Sequence, residues 1–304
     1  MRSIEIGGLR LPAVAVGCMG LNKLDARGVS AFLSASMDAG LNFFDHADIY
    51  GGGACESLFG EAMKALGIPR ERYVLQSKCG IVPGRMYDFS EKHILASVDG
   101  SLRRLRTDHL DFLLLHRPDA LMQPEEVAAA CGMRGASGKV LRFGVSNMHP
   151  YQIELLRRCV RQPLGIDQLQ FSPAHAGMIT CGMEANMDTE GAASHDDYIL
   201  DYCRLHDIAV QAWSPLRYGL LEGVYLGNPQ YAGLNDCLAQ VAAEYGASPS
   251  AVVTAWILRY PARMQVVTGT ANAAHLLEMA AGADIELSRE EWYRIYLAAG
   301  NRLP

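Results

Sequence analysis

No apolar run in this 304-residue chain approaches the roughly 20 residues that a membrane span requires. No cluster of Lys and Arg is longer than two, and the net charge is −6. The chain therefore lacks the basic face that nucleic acid or an anionic membrane would need. The opening MRSIEIGGLR has no apolar h-region, so no secretory signal is expected. Eight cysteines (18, 55, 79, 131, 159, 181, 203, 237) are scattered without one C-x-x-C pair. That spacing argues against a disulfide frame and for free thiols in a reducing cytoplasm. No repeat, linker or low-complexity tract divides the sequence, so residues 1–304 read as one domain. The first apolar strand is not followed by G-x-G-x-x-G, since GCMGL (17–21) lacks that spacing. This absence counts against a doubly wound dinucleotide-binding sheet.

What is present is alternation. Half of the residues are hydrophobic, enough for a large core. Short β-branched runs appear at LPAVAVG (11–17), NFF (42–44), YVLQSK (73–78), DFLLLH (111–116), KVLRFGVS (139–146), IDQLQ (166–170), IAVQAW (208–213) and QVVTGT (265–270). Each is followed by a 3.6-residue apolar period. Examples are Val29, Phe32, Leu33 and Met37, or Ile94, Leu95, Val98, Leu102 and Leu105. Eight strand–helix units predict a (β/α)8 barrel of the TIM type. Two irregular stretches, 172–197 and 214–233, follow the sixth and seventh strands as long loops, the usual form of lids and binding loops. ASHDD (193–197) reads as an N-cap and acidic first turn of a helix over 196–205.

In such a barrel the reacting groups gather at the C-terminal ends of strands. FFDHADIYGGG (43–53) ends the second strand in Asp45 and brings Tyr50 a few residues later. The third strand ends in Lys78 and the fourth in His116. The combination has a chemical logic. A phenol titrates near 10 and is a poor acid at neutral pH. An adjacent ammonium is expected to lower that pKa, a carboxylate to hold the ammonium, and an imidazole to orient a substrate oxygen.

The blocks FFDHADIYGGGACESLFGEAMK, YVLQSKCG, LDFLLLHRPD, SGKVLRFGVSN and VQAWSPLRYGLL, in that order over nearly the whole chain, resemble the successive signatures of the aldo-keto reductases. The bacterial branch with D-H-A-D-I-Y-G in its second strand is the most similar. The resemblance implies a (β/α)8 barrel that moves hydride between a nicotinamide cofactor and a carbonyl or alcohol. It implies Asp45, Tyr50, Lys78 and His116 as the catalytic set. It further implies Ser146, Asn147 and Gln168 at the carboxamide and Trp213 against the nicotinamide ring. Ser214 and Leu216 fall at the pyrophosphate. Thr268, Gly269, Thr270, His275 and Glu278 fall at the adenosine end, and Gly17 is grouped with these contacts.

The chain also departs from that pattern. The usual Thr after the catalytic Asp is His46, which adds a titratable group beside the site. Gly269 and His275 stand where the family commonly has Lys and Arg, which weakens recognition of a 2′-phosphate. Thr270, Asn272 and His275 could still bind it, so NADPH is expected, with NADH possible. Asp48 reads as a turn residue. Tyr87, His175, Tyr218 and Tyr225 are rim candidates for a small carbonyl or alcohol substrate that the sequence does not name. Three other functions fit parts of the pattern. One is a dehydrogenase running in the oxidative direction. Another is a cofactor-sensing binding module like the channel-associated β subunits of the family. The third is a metal-dependent barrel hydrolase using His46 and Asp48. That last class usually starts from His-x-His with further ligands at later strand ends, where only His116 stands. No metal site is expected, and oligomeric state is unreadable.

Overall fold

The computed structural model describes residues 2–219 and 222–303, so Leu220 and Leu221 of the expected VQAWSPLRYGLL block lie outside the described residues. Eight parallel strands close a barrel: β1 (Val14–Gly17), β2 (Phe43–Asp45), β3 (Val74–Cys79), β4 (Phe112–Leu115), β5 (Phe143–Ser146), β6 (Leu164–Gln170), β7 (Ala209–Trp213) and β8 (Met264–Thr268). Neighbours follow chain order, and β8 pairs back onto β1 with Val267 opposite Ala15. The expected (β/α)8 barrel is the observed one. β4 and β8 are buried along their whole length, because one face lines the interior and the other meets helices.

Around the barrel lie α1 (Ala26–Asp38), α2 (Ala54–Ala65), α3 (Glu91–Leu105), α4 (Pro124–Ala136), α5 (Pro150–Arg157), α6 (Gly177–Met183), α7 (Ile199–Leu205), α8 (Ala232–Tyr245), α9 (Pro249–Arg259), α10 (Ala273–Ala281) and α11 (Arg289–Ala298). Their starts are written locally. Asp25 accepts from the Gly28 amide at 2.7 Å, Ser90 caps α3, Ser248 caps α9, and Ser288 with Glu291 forms a capping box on α11. Among the described residues, no helix is long and apolar enough to cross a membrane.

Three local expectations are corrected. The run 11–17 is two strands, not one. Ser3–Ile6 and Leu9–Pro12 form an antiparallel hairpin, turned by Gly7 and Gly8 at φ 56° and 76°. Two positive-φ residues give the tight turn whose twist suits a hairpin. Its Ile6 and Leu11 pack with Ala15, Phe43, Phe112, Leu114, Ile166 and Ala209, near the strand starts, so the hairpin plugs the end of the barrel opposite the strand C-termini. The 172–197 loop is not wholly irregular, for it contains α6. The acidic run 193–197 is not the first turn of α7. Tyr198, at φ 59°, precedes that helix, and Ser194 Oγ accepts from the Tyr198 amide to close a separate turn.

Asp167 on β6 is fully buried, and its carboxyl oxygens make no hydrogen bond of good geometry. Burial holds its pKa well above the usual carboxylate range, with the Met148 and Asn147 amides opposing weakly. The folded chain therefore keeps a proton that the unfolded chain releases above about pH 4. Its stabilising contribution is full below that pH and is lost as pH rises toward the folded pKa. Asp167→Asn should remove this loss. Its melting temperature is expected to match the parent near pH 4 and to exceed it by at least about 3 °C at pH 8. Thermal melts across that range check this, and parallel profiles would refute it.

Candidate active site

Asp45 ends β2, Lys78 is next to last in β3, and His116 follows β4 directly. All three lie at the C-terminal mouth, the end away from the hairpin plug. Tyr50 reaches the same place because Gly51, Gly52 and Gly53 take φ of 59°, 64° and 92°, swinging the chain from β2 into α2. A Cβ at Gly53 would sit 2.9 Å from Arg104 Cδ. Glycine is needed there for both conformation and space.

The Lys78 side chain is fully buried. Its ammonium donates to Asp45 Oδ2 at 2.8 Å, the His46 carbonyl at 2.8 Å and Tyr50 Oη at 3.0 Å. Three donors meet three acceptors, so the charge is satisfied. Burial alone would lower the Lys78 pKa, but Asp45 and then Tyr50 outweigh it and the net shift is upward. Burial pushes the Tyr50 phenol above 10, against the pull of Lys78. This corrects the expectation that the ammonium would lower it: removing the phenolate from water costs more than the neighbouring cation returns. His116 is held well below 6.5 by burial, Lys78 and Arg117, and its ring meets Tyr50 edge-on with centroids 6.0 Å apart. His46 is not the expected titrating neighbour. Its ring is buried against Phe59, and burial with Lys78 drops its pKa to about 3. Asp48 does stand in the turn, yet burial raises its carboxyl to about 6.

Beneath this group lies a layer that the sequence reading missed. Gln76 Nε2 donates to Asp45 Oδ1 at 2.6 Å, and Gln168 Nε2 donates to the same oxygen at 3.2 Å. Both also donate to Gln211 Oε1, at 2.8 and 2.9 Å. Gln211 Nε2 donates to Gln265 Oε1, and Gln265 donates to the Pro12 carbonyl. The signal was available: glutamines stand inside four largely apolar strands, and Gln168, Gln211 and Gln265 stand in register on adjacent strands.

A second group adjoins the first. Ser146 Oγ donates to the Gln168 carbonyl, Asn147 donates to Ser146 Oγ at 2.7 Å, and Trp213 Nε1 donates to Asn147 Oδ1 at 3.1 Å. Beyond Trp213 opens a cavity of about 780 Å3, lined by Ser214, Leu216, Gly269, Thr270, His275 and Glu278 among others. The lining is mainly apolar with a few polar groups, the usual make-up of a small-molecule site. Met19, Asn235, Ser248 and Ser250 also line it and were not anticipated. Of the contacts expected at the adenosine end, Thr268 and Gly17 do not line this cavity. The Thr268 hydroxyl is turned back, donating to the Ala15 carbonyl and accepting from the Gly17 amide. Gly17 is a seam residue, since a Cβ there would come 2.0 Å from the Thr268 carbonyl oxygen. The start of α10 is also less open than a bare helix end, because Asn272 Oδ1 accepts from the Ala274 and His275 amides. Of the rim candidates, Tyr225 is a core strut, fully buried with its hydroxyl on the Pro215 carbonyl at 2.7 Å. Tyr87 is exposed on a small hairpin of Ile81–Val82 and Met86–Tyr87; His175 is exposed and Tyr218 half-buried.

The aldo/keto reductase family model matches residues 13–298. The chain belongs to this family. It is 36% identical over 284 residues to the oxidoreductase YdhF of Escherichia coli K12, covering 91% of this chain and 89% of that one. It is 34% identical over 281 residues to a 6-dehydroglucose reductase of Agrobacterium fabrum, covering 89% and 87%. A crystal structure of an aldo/keto reductase from Klebsiella pneumoniae with NADP and acetate aligns with a TM-score of 0.74 at 25% identity, covering 96% and 93%. Family and relatives make the chain an NAD(P)H-dependent carbonyl oxidoreductase.

Removing one partner of a buried ion pair typically costs about 3–5 kcal/mol. Lys78→Met should lower the unfolding free energy by about that amount. Adding Asp45→Asn should return most of it, because a neutral acceptor then faces Gln76 and Gln168. Denaturant titrations of the single and double variants test this. A double variant no more stable than the single would mean that packing, not charge, dominates.

Proposed function

We propose that the chain reduces an aldehyde or ketone to an alcohol with NADPH, Tyr50 giving the proton to the carbonyl oxygen. The observation that carries this reading is the Lys78 ammonium shared between Asp45 and Tyr50 at the barrel mouth. When bound, the reduced nicotinamide supplies the hydride to the carbonyl carbon. Tyr50 must then deliver a proton to the oxygen in the same step, a contribution of roughly 10²–10⁴. With its pKa held above 10, the phenol carries that proton at neutral pH. Lys78 steadies the phenolate left behind. The neutral His116 imidazole serves to donate a hydrogen bond that orients the substrate oxygen. These protonation states suit reduction, since oxidation needs the phenolate from the start.

In this reading Ser146, Asn147 and Gln168 hold the carboxamide. Trp213 supports the nicotinamide ring, and Ser214 and Leu216 meet the pyrophosphate. Gly269, Thr270, His275 and Glu278 hold the adenosine end, while Thr268 and Gly17 act by fixing the β8–β1 seam below that loop. NADPH is preferred over NADH because Thr270 and His275 offer the 2′-phosphate donors, and because the Klebsiella relative was crystallised with NADP. Eight free cysteines suit a cytoplasmic setting.

The test is loss of nicotinamide absorbance with NADPH and with NADH against aldehydes and ketones, sugar-derived aldehydes included. Tyr50→Phe should bind cofactor with parental affinity and lose turnover by about 10²-fold or more. Full turnover in that variant would sink the mechanism. Binding of cofactor without turnover by the parent chain would favour the cofactor-sensing reading instead.

A further inference from the structure

Arg117 follows His116 at the end of β4 and is half-buried at the mouth. Its guanidinium carbon lies 5.6 Å from the centroid of the Trp213 ring. Burial lowers its pKa, and Tyr87 and Tyr50 offset only part of that. Comparable arginines hold carboxylates: Arg70 pairs with Asp111, Arg104 with Glu56 and Arg134 with Asp99. Arg117 has no acidic partner among the described residues. Asp119, two residues on, gives its oxygens to the Phe89 and Leu121 amides instead. Lys78 cannot serve an incoming anion, because its three donors are used. A cation kept partly out of water without a counterion is costly unless one arrives with a ligand.

We propose that Arg117 receives a carboxylate of the substrate, so that the favoured substrates are aldehydes or ketones that also carry a carboxylate. This rests on the reductase reading above. The planar guanidinium matches a carboxylate in two parallel hydrogen bonds. Held on Trp213, it would anchor the far end of a short keto or aldehydic acid while the carbonyl meets Tyr50 and His116. The competing view is that Arg117 only braces Trp213.

Matched substrates separate the two: 4-carboxybenzaldehyde against 4-methylbenzaldehyde, and succinic semialdehyde against butanal. The parent should favour the acid of each pair in kcat/KM by about 30-fold or more, the scale of a charge-assisted hydrogen-bond pair. Arg117→Met should cut that ratio at least tenfold, Arg117→Lys should keep part of it, and Arg117→Glu should reverse it. A bracing role would lower both members of a pair together and leave the ratio unchanged, which would overturn the proposal. Turnover-independent binding of 4-hydroxymethylbenzoate to the cofactor complex, by titration calorimetry, should weaken at least tenfold in Arg117→Met. Unaltered binding there would overturn it even if no aldehyde were reduced. Absence of turnover with every carbonyl would instead count against the reductase reading.

Discussion

A single ammonium withdrawn from water organises this barrel. Lys78 is fully buried, and a bare charge there would be prohibitive. Its three partners, Asp45, the His46 carbonyl and Tyr50, come from one six-residue stretch. Asp45 is held by Gln76 and Gln168, those by Gln211, and Gln211 by Gln265. The chain of donors ends on the Pro12 carbonyl, in the hairpin that plugs the far end. One connected polar layer thus stands between the reactive mouth and the apolar plug. In a low dielectric such a layer rigidifies when every member is satisfied.

The same charge sets the protonation of its neighbours. Burial and Lys78 together keep His46 and His116 neutral. A neutral imidazole can donate one hydrogen bond and accept another, which an orienting group needs. Tyr50 stays a phenol because desolvation exceeds the attraction of Lys78. A site carrying one fixed cation, two neutral rings and a protonated phenol is poised to donate a proton rather than to take one. The adjoining group repeats the theme: Ser146, Asn147 and Trp213 hold each other through hydrogen bonds and so present amide and ring at set angles.

Most of this was legible in the sequence because the information is local. A strand that is buried on both faces shows as an apolar run, and a polar residue that ends it must face the mouth. That reasoning alone picked out Asp45, Lys78 and His116, with Tyr50 a few residues beyond Asp45; the glycine geometry that seats Tyr50 showed only in the fold. What escaped was non-local or energetic. The hairpin strands are four residues each, too short to show a period, although Gly7–Gly8 was a readable turn. Tyr225 looks like a rim aromatic until the loop after β7 folds it onto Pro215. Asp48 and Tyr50 took unexpected titration behaviour because burial is a property of the assembled fold, not of a neighbour in the chain. The glutamine layer was hidden for the same reason: each glutamine looks like noise until register sets three side by side.

Trp213 marks where two demands meet. On one side its indole N–H is fixed by Asn147, and the next residue along the chain, Ser214, lines the cavity together with Leu216. On the other side one ring face carries Arg117, which stands with Tyr50, His116 and Tyr87 on the wall where a carbonyl compound would enter. A ring pinned by a hydrogen bond at its edge and a cation on one face is held in one orientation. Cofactor ring and substrate anion would thus share one rigid indole, and its orientation sets the distance between them. Hydride transfer is sensitive to that distance, since a misplacement of about 1 Å can cost 10²-fold in rate. The neighbouring strand ends make the indole hard to move: β6 and β7 are paired along five residues up to Gln170 and Trp213 themselves. Rigidity needed for catalysis is therefore drawn from the sheet, while the loops beyond it remain free to vary with the substrate.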